Sequence, residues 1–318
     1  MAQSARDYKQ SIDVPQIEAE QGSHFVSNYP PYQFWGDKAI PAVLDALHSR
    51  PMQPQQLGIY VHVPFCRRRC SFCYFKIYAD KKQDEVDRYL DHLARQMQLY
   101  AQTEFLTERD VDFVYFGGGT PSYLSSNQIA SLAEHIQQLI GLSKAKEVSF
   151  EAEPGTLNLE KLTTIKQIGT TRLSLGIESF SDQVLEANNR AHLQRHALNA
   201  YDMARNVGFN QINVDLIAGL PGETDASWEA GIQRTIQLKV DSVTIYKLET
   251  PRNTILYQQL QVPDSGSPPP LSFTIKYQWI KRAFEMLNDA GYTLTSAYTA
   301  VRDPRSHAFL YRDALWHG

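Results

Sequence analysis

From residue 58 onward, short runs rich in β-branched and aromatic residues alternate with longer segments in which apolar residues recur every three or four positions. The short runs predict six strands, at residues 58–63, 111–116, 147–153, 172–177, 211–218 and 241–248. The longer segments predict the helices between them, at residues 85–103, 126–140, 159–168, 195–207 and 224–238. This alternation predicts an α/β fold in which parallel strands, joined by right-handed crossovers, close fully or partly into a barrel. Functional groups then belong at the carboxyl ends of the strands.

The residues before and after this region do not continue the alternation of strands and helices. Residues 1–57 are mixed and polar with several prolines, and only 40–48 has a helical pattern, which predicts an N-terminal arm ahead of a barrel at 58–262. Gly266 and the prolines at 268–270 predict a loop or domain boundary. A helix over 273–290 and a strand near 292–297 would begin a C-terminal α+β element, 271–318, which we expect to be truncated because its last residues carry no turn or cap.

Composition narrows the possible partners. Lys and Arg number 31 against 35 Asp and Glu, a net charge of -4, which argues against nucleic acid or an anionic membrane as the partner. Membrane spanning is not expected because no apolar run approaches about 18 residues. The first residues form no apolar signal segment, and three cysteines are too few for a disulfide framework, so a cytoplasmic location is expected.

All three cysteines of the chain, Cys66, Cys70 and Cys73, fall within eight residues. A Cys-x3-Cys-x2-Cys loop can bring three thiolates around one soft metal centre. A structural zinc site normally takes four protein ligands, and His62 is the nearest candidate for the fourth, but its apolar run predicts a strand side chain with a structural partner. Three thiolates on a 4Fe-4S cluster would instead leave one iron open to a substrate or cosubstrate.

Further candidate groups follow the other predicted strands. Gly117, Gly118 and Gly119 precede Thr120, a run that can expose backbone N–H groups to a ligand or simply form a tight turn. Glu151 and Glu153 are expected on one side of a strand because of its period of two, with solvated strand-end charge as the alternative. Glu178 ends the fourth strand and is followed by Arg190. Asp215 lies in an apolar run, where an acid is costly to bury unless it is paired or binds a ligand.

Several ordered motifs carry a family resemblance: Tyr60-Val-His-Val-Pro-Phe-Cys66 with its cysteine spacing, Gly117-Gly-Gly-Thr-Pro121, Leu173-Ser-Leu-Gly-Ile-Glu-Ser-Phe180, Asn189-Arg190 and Asn213-Val-Asp-Leu-Ile-Ala-Gly-Leu-Pro221. With these motifs the chain resembles the radical S-adenosylmethionine (SAM) superfamily, and within it the oxygen-independent coproporphyrinogen III oxidase-like branch. The resemblance implies a partial (β/α)6 barrel whose 4Fe-4S cluster, ligated by Cys66, Cys70 and Cys73, binds SAM at the open iron. Reductive cleavage would yield methionine and a 5′-deoxyadenosyl radical that takes hydrogen from an organic substrate.

The resemblance also implies roles for individual residues. Phe72 would pack near the adenine, Gly118, Gly119 and Thr120 would meet the methionyl end, and Glu151 would bind a cosubstrate. Because members of this branch hold one or two SAM molecules, the positions that line the two sites are also carried over, namely Tyr60, Glu178, Arg190, Asp215 and Leu248. Tyr60 and Glu178 are the catalytic candidates, although the oxidase has Gln at the position of Glu178. The implied partners are a small-molecule substrate, a tetrapyrrole or another natural product, and a flavodoxin- or ferredoxin-like electron donor.

One departure from the oxidase lies beside the cluster motif. The oxidase continues with a fourth cysteine, whereas Cys73 is followed here by Tyr74 and Phe75, which weighs against oxidative decarboxylation of a porphyrinogen. Branch members without that cysteine include haem chaperones, haem-degrading enzymes, and methyltransferases or cyclopropane-forming enzymes. The run Cys-Tyr-Phe-Lys76 slightly favours the last group. The arginines 67–69 between the cysteines are either a solvated loop face or a contact for an anionic substrate or an acidic electron donor.

Overall fold

The computed structural model of the protein describes residues 35–51, 56–107, 109–262, 271–307 and 309–317. Ten strands lie in these ranges: β1 Gly58–Val63, β2 Phe65–Cys66, β3 Tyr78–Ala79, β4 Phe113–Gly118, β5 Glu147–Ala152, β6 Arg172–Glu178, β7 Gln211–Ala218, β8 Ser242–Lys247, β9 Thr293–Leu294 and β10 Thr299–Val301. Ten α-helices accompany them: α1 Ile40–Leu47, α2 Gln83–Ala101, α3 Ser126–Leu139, α4 Leu159–Gln167, α5 Asp182–Ala187, α6 Gln194–Val207, α7 Asp225–Leu238, α8 Ile255–Leu260, α9 Phe273–Asp289 and α10 Leu310–His317.

The main sheet has eight strands in the order β1-β4-β5-β6-β7-β8-β10-β9. The first six are parallel and follow the order of the chain, so the predicted α/β fold with a partial six-stranded barrel is confirmed. β10 runs antiparallel to β8 and pairs with β9. The short strands β2 and β3 form a separate two-stranded sheet that carries the start of the cysteine loop.

The two faces of the parallel strands differ in polarity. One face packs under the helices and is apolar; it includes Val114, Phe150, Leu173, Val214 and Val243. The other face carries polar side chains on neighbouring strands, which are Tyr115, Ser149, Glu151, Arg172, Ser174, Asn213, Asp215 and Thr244. In a closed eight-stranded barrel the inner face is filled by branched apolar side chains. The inner face is polar here, and it carries the candidate residues Glu151 and Asp215.

Local signals start and stop the helices around the barrel. The Ser125 hydroxyl accepts from the Gln128 amide nitrogen while the Gln128 side chain accepts from the Ser125 nitrogen, a reciprocal cap that begins α3. Asn158 and Thr224 cap α4 and α7 in a similar way. At the other end of α6, Gly208 takes the left-handed conformation with a φ of 87°. These caps fix where the crossover helices begin and end, and so where the next strand can start.

Three elements differ from the pattern-based expectation. β4 ends at Gly118, two residues later than predicted, because Gly117 and Gly118 pair with His62 and Val63 although glycine has a low strand propensity. The predicted strand 292–297 is only Thr293–Leu294, and an unpredicted strand, Thr299–Val301, closes a hairpin on the main sheet. Helices α5, α8 and α10 were not predicted; α5 and α8 are six residues long, too short for apolar periodicity to show.

The expected domain limits stay a prediction. Residues 1–34 and 52–55 of the expected N-terminal arm, and 263–270 of the expected boundary, lie outside the described residues. The helix expected at 40–48 is α1, and the helix expected at 273–290 is α9.

No helix within the described ranges combines the length and the apolar character needed to cross a bilayer.

Candidate functional site

The cysteine loop follows β1 at the carboxyl end of the parallel strands. Cys66 closes β2, which pairs with β3, and the Cys73 amide donates to the Cys70 carbonyl at 3.2 Å. All three thiols are free and partly buried. Burial raises the pKa of the Cys66 thiol to about 11 and also raises that of Cys73. The Cys66 and Cys73 thiols therefore hold their protons at neutral pH, and metal binding would release them.

Two neighbouring side chains already donate hydrogen bonds to the sulfur atoms. Thr120 Oγ1 lies 3.3 Å from Cys66 Sγ, and Arg190 Nη1 lies 3.4 Å from Cys70 Sγ. A Cβ atom added to Gly119 would lie 3.0 Å from Cys66 Sγ and 3.0 Å from the Phe65 carbonyl oxygen. Glycine is therefore needed at this position for the backbone after β4 to approach the loop.

The donor set fits an iron-sulfur cluster better than a single ion. Three thiols are soft ligands, and the chain has no further cysteine to complete a tetrahedral zinc site. Among the described side chains, no three of the types His, Cys, Asp and Glu converge closely enough for one metal ion. A cluster takes one thiolate per iron, so its ligands stand farther apart than those of one ion. His62 instead lies with Nδ1 3.0 Å from the Tyr60 hydroxyl, which confirms the expected structural partner.

The glycine run reaches a buried carboxylate. The Gly118 amide donates to Glu151 Oε2 at 3.2 Å, and Tyr115 donates its hydroxyl proton to Glu151 Oε1 at 2.6 Å. Gly118 has a φ of 120°, and a Cβ atom there would lie 2.8 Å from the His62 ring. Only glycine fits at this position, since both the backbone conformation and the space exclude a side chain.

Three carboxylates share the inner face of the barrel. Burial, helped by the charge of Asp215, raises the pKa of Glu151 to about 7 and that of Glu178 to about 7. Burial also raises the pKa of Asp215, which accepts from Ser174 Oγ at 2.7 Å and from Asn213 Nδ2 at 2.9 Å. Acidic groups held close together in this way favour a cation among them.

Arg190 connects the carboxylates to the cysteine loop. Its Nη2 lies 3.6 Å from Glu178 Oε1, while its Nη1 contacts Cys70 Sγ. Both side chains are almost enclosed, with 11% of Arg190 and 14% of Glu178 exposed. Glu178 sits at an irregularity of β6 with a φ of 67°, an uncommon conformation for a residue with a side chain. Local backbone strain of this kind is concentrated at functional sites.

Aromatic side chains border the carboxylates. Tyr60 and Tyr246 are each about half exposed, at 49% and 47%. The pKa of each phenol is raised, by burial first and then by the nearby carboxylates, among them Glu151. Tyr115 stacks on Tyr311, with ring centroids 4.2 Å apart, so α10 also contributes to the lining. The barrel therefore offers flat aromatic surfaces beside an acidic centre.

Phe72 and Leu248 lie apart from this acidic centre. They belong to a small apolar cluster behind the cysteine loop that also contains Val184, Leu220 and Leu256. Leu248 is 3% exposed, and its carbonyl accepts from Lys276 Nζ at 2.8 Å. Phe72 belongs to the loop and packs on this cluster, and the contacts of both residues to a cosubstrate stay a prediction.

Glu153 lies one residue beyond β5, which ends at Ala152, and its backbone is still extended, with a φ of -93° and a ψ of 124°. That it shares a face with Glu151 stays a prediction. Its carboxylate is buried and contacts His192, with Oε1 2.8 Å from Nδ1, while the Gly155 amide donates to the same oxygen. The hydrogen bond to His192 and the charge of Arg190 lower the pKa of Glu153 despite its burial.

Sequence reasoning missed several polar residues that support the site. They are Ser71, Tyr115, Arg172, Ser174, Asn188, His192 and Asn213. Arg172 is 2% exposed, and its guanidinium carbon lies 3.9 Å from the centre of the Phe309 ring. A polar residue at an alternate position of a predicted strand is the signal that could have identified Tyr115, Ser174 and Asn213.

Comparison with known proteins agrees with this geometry. A family model described as "Radical SAM superfamily" matches residues 60–234. The chain is 35% identical over 204 residues to heme chaperone HemW of Bacillus subtilis, covering 64% of this chain and 53% of that protein. It is 33% identical over 270 residues to heme chaperone HemW of Mycobacterium tuberculosis, covering 84% and 69%.

The chain is also similar to an oxidase. It is 28% identical over 296 residues to oxygen-independent coproporphyrinogen III oxidase of Escherichia coli, covering 93% of this chain and 63% of that protein. The solved structure of the Escherichia coli coproporphyrinogen III oxidase (HemN), described as a radical SAM enzyme, superposes with a TM-score of 0.74 at 26% identity, covering 88% of this chain and 63% of that one.

The chain thus spans 53% of the Bacillus subtilis chaperone and 63% of the Escherichia coli oxidase. The matched segment, residues 60–234, contains the cysteine loop, the glycine run, the three inner carboxylates and Arg190. The chain belongs to the radical SAM superfamily, and its relatives include both the oxygen-independent coproporphyrinogen III oxidases and the HemW proteins.

Proposed function

We propose that the protein is a radical SAM enzyme that binds a 4Fe-4S cluster through Cys66, Cys70 and Cys73 and cleaves SAM reductively. The observation that carries the proposal is the meeting, at one end of the barrel, of a loop with three thiols and a set of buried carboxylates, joined by Arg190. When bound, the cluster supplies the electron that converts SAM to methionine and a 5′-deoxyadenosyl radical, which takes hydrogen from an organic substrate.

The residues of the chain bind and orient the cosubstrate. SAM carries an ammonium and a sulfonium cation, and the ionised carboxylates of Glu151, Glu178 and Asp215 attract such groups. Gly118 and Gly119 allow a ligand to approach the backbone, and Thr120 adds a hydroxyl beside Cys66. The proposed roles of Tyr60 and Leu248 at one or two SAM sites rest on the family resemblance.

The organic substrate would occupy the barrel beside the aromatic side chains. Tyr60 and Tyr246 leave about half of their surface open, which suits a ligand with a flat apolar part. The names of two relatives concern haem or a porphyrinogen, and we propose a tetrapyrrole or a similar natural product. Decarboxylation would begin with hydrogen abstraction from the substrate, whereas methyl transfer and cyclopropane formation would use a second SAM molecule as the methylene donor.

A haem chaperone is the second candidate. The observation in its favour is the 33% identity to the Mycobacterium tuberculosis HemW over 69% of that protein. Phe75 stands where the oxidase motif has its fourth cysteine, which is a further departure from the oxidase. In this case haem would bind stoichiometrically and would leave unchanged.

Anaerobic reconstitution with iron and sulfide, followed by reduction in the presence of SAM, should yield 5′-deoxyadenosine. Mass spectrometry would score 5′-deoxyadenosine and S-adenosylhomocysteine together, and an absorbance titration with haem would run in parallel. 5′-Deoxyadenosine alone supports hydrogen abstraction, and both products together support methyl transfer. A protein with a full cluster that releases neither product, yet binds one equivalent of haem, contradicts the enzyme proposal and supports the chaperone.

An acidic electron-transfer protein would deliver the electron through the exposed arginines of the cysteine loop. Arg67 and Arg68 are exposed, and Arg68 lies midway between Cys66 and Cys70. The Arg68→Glu variant should slow 5′-deoxyadenosine formation by about tenfold when reduced flavodoxin is the donor, since like charges at a docking surface reduce the rate of encounter. With dithionite as the donor, its rate should equal that of the unmodified protein. Equal rates with flavodoxin would show that the donor docks elsewhere.

A further inference from the structure

A short turn after α5 lies directly against the middle of the cysteine loop. The Ser71 amide and hydroxyl donate to the Asn188 carbonyl oxygen and side-chain Oδ1, at 3.1 and 3.3 Å. Asn189 Nδ2 donates to the Arg69 carbonyl at 2.8 Å. Arg190 Nη1 donates to Cys70 Sγ at 3.4 Å. Three consecutive residues of the turn therefore contact the three consecutive residues 69–71 of the loop.

The turn is itself anchored to the barrel. Asn188 is fully buried, and its Nδ2 donates to the Val184 carbonyl at 2.8 Å and to the Pro221 carbonyl at 2.9 Å. The first contact fixes it to α5, and the second fixes it to the loop after β7. Asn189 has a φ of 55°, a left-handed conformation that asparagine tolerates better than most residues. The contacts to the cysteine loop therefore start from a rigid support.

The opposite side of the cysteine loop is held by the segment that begins α8. Asn253 Nδ2 donates to the Tyr74 carbonyl at 2.8 Å, and the Leu256 amide donates to the Ser71 carbonyl at 2.8 Å. Arg69 Nη2 also donates to the Asn253 carbonyl at 3.2 Å. Ser71 is thus fixed from both sides, and Cys70 lies between two residues whose backbones are bound.

We infer that the turn Asn188-Asn189-Arg190 is a clamp that holds Cys70 in its ligating position. The inference rests on the proposed function, in which Cys70 is a cluster ligand. A free loop would lose backbone entropy when it closes on a cluster. The contacts of the clamp join protein atoms to protein atoms and need no cluster atom, so they can restrict the loop during folding rather than during cluster binding. Asn188 and Asn189 are positioning residues, since they act on Cys70 through its neighbours.

The sharpest test is the Asn189→Gly variant. Glycine adopts the left-handed conformation freely, so the turn is kept and only the hydrogen bond to Arg69 is lost. Asn210→Gly is the matched control, because Asn210 is exposed and distant in sequence from the loop. Ser71→Ala removes the hydroxyl contact to Asn188 from the side of the loop, and it keeps the test decisive if Asn189→Gly fails to fold.

Two measurements use the metal-free protein. Trypsin cleaves after the loop arginines, and cleavage after Arg69 should be about fivefold faster in Asn189→Gly, the factor expected for one lost hydrogen bond. Site-resolved alkylation should show a similar rise in the ratio of Cys70 to Cys66 labelling. General destabilisation would expose both thiols and would leave that ratio unchanged. Ratios within twofold of the unmodified protein in both Asn189→Gly and Ser71→Ala would overturn the clamp.

A third measurement uses the reconstituted protein. The rate of iron loss to a chelator should be about fivefold higher in Asn189→Gly and unchanged in Asn210→Gly. If the unmodified protein takes up no iron and sulfide, the proposed function fails. The trypsin and alkylation results in the metal-free protein still decide the clamp in that case.

Discussion

Replacement of Cys70 by serine should abolish cluster assembly and reduce 5′-deoxyadenosine formation to background. Cys70 is one of three cysteines in the whole chain, so no other thiol can take its place. A serine hydroxyl is a hard, weakly acidic ligand and replaces a thiolate poorly on iron-sulfur clusters. Iron and acid-labile sulfide per chain, together with the visible absorption of the reconstituted protein, measure the loss.

The fold should survive this substitution. Cys70 is only partly buried, at the end of the barrel, and a change of this kind away from the core costs about 1 kcal/mol. Circular dichroism and thermal unfolding check that expectation. The neighbouring Arg68→Ala variant is the matched control and should keep full iron and sulfide. Stoichiometric iron and sulfide in Cys70→Ser would show that the three cysteines do not hold the cluster.

The second large effect is expected for Glu151→Gln, which should weaken SAM binding about 100-fold while the iron content stays unchanged. The amide keeps the shape of the side chain but loses the negative charge, and a charged hydrogen bond to a cation contributes about 2 to 3 kcal/mol. Glu151 contacts Tyr115 and Gly118 rather than a thiol, so the cysteine loop should be undisturbed. Equilibrium dialysis of SAM against reconstituted protein measures the change.

The pH dependence of binding separates charge from shape. The pKa of Glu151 is raised to about 7, so the carboxylate is ionised above that pH and neutral below it. SAM binding to the unmodified protein should therefore strengthen about tenfold from pH 6 to pH 8, since protonation below the pKa removes the charge. Binding to Glu151→Gln should depend less on pH over the same range. An equally steep pH profile in the variant would assign the titration to another group.

The same pKa shift has an effect on stability of the opposite sign. A carboxyl group whose folded pKa lies above its usual value of 4.5 binds its proton more tightly in the folded state. Its contribution therefore favours folding at low pH and is lost as the pH rises from about 4.5 to about 7.

Glu147→Gln is the matched control for SAM binding. Glu147 lies on the same strand and face, at the opposite end of the barrel, where it accepts from Ser149 and from the Leu310 amide.

Much of the fold could be predicted because its signals are local. The six parallel strands follow from apolar runs, and the helices between them follow from a period of three to four residues. The clustering of cysteines between 66 and 73 is also local, since a loop of eight residues can bring its own side chains together. The acids at the strand ends were likewise visible, because parallel strands end at the same edge of a sheet.

The failures occur where distant residues decide the outcome. β4 continues through two glycines because β1 provides pairing partners that outweigh their low strand propensity. The partner of Glu153 could not be predicted, because His192, with which it forms a buried pair, lies 39 positions later in the chain. The hairpin of β9 and β10 joins the main sheet because β10 pairs with β8, which lies more than 50 positions earlier in the chain.

The amino-acid sequence by itself determined the six parallel strands, the three-thiol loop and the set of acids at the strand ends, because periodicity and spacing act over a few residues. Only the tertiary structure decided which of those acids share a cavity and what holds the loop. Asn188 and Ser71, which form one of the contacts that hold the loop, are 117 positions apart in the chain. Hydrogen bonds across such separations depend on how the crossovers pack, and no local pattern specifies that packing.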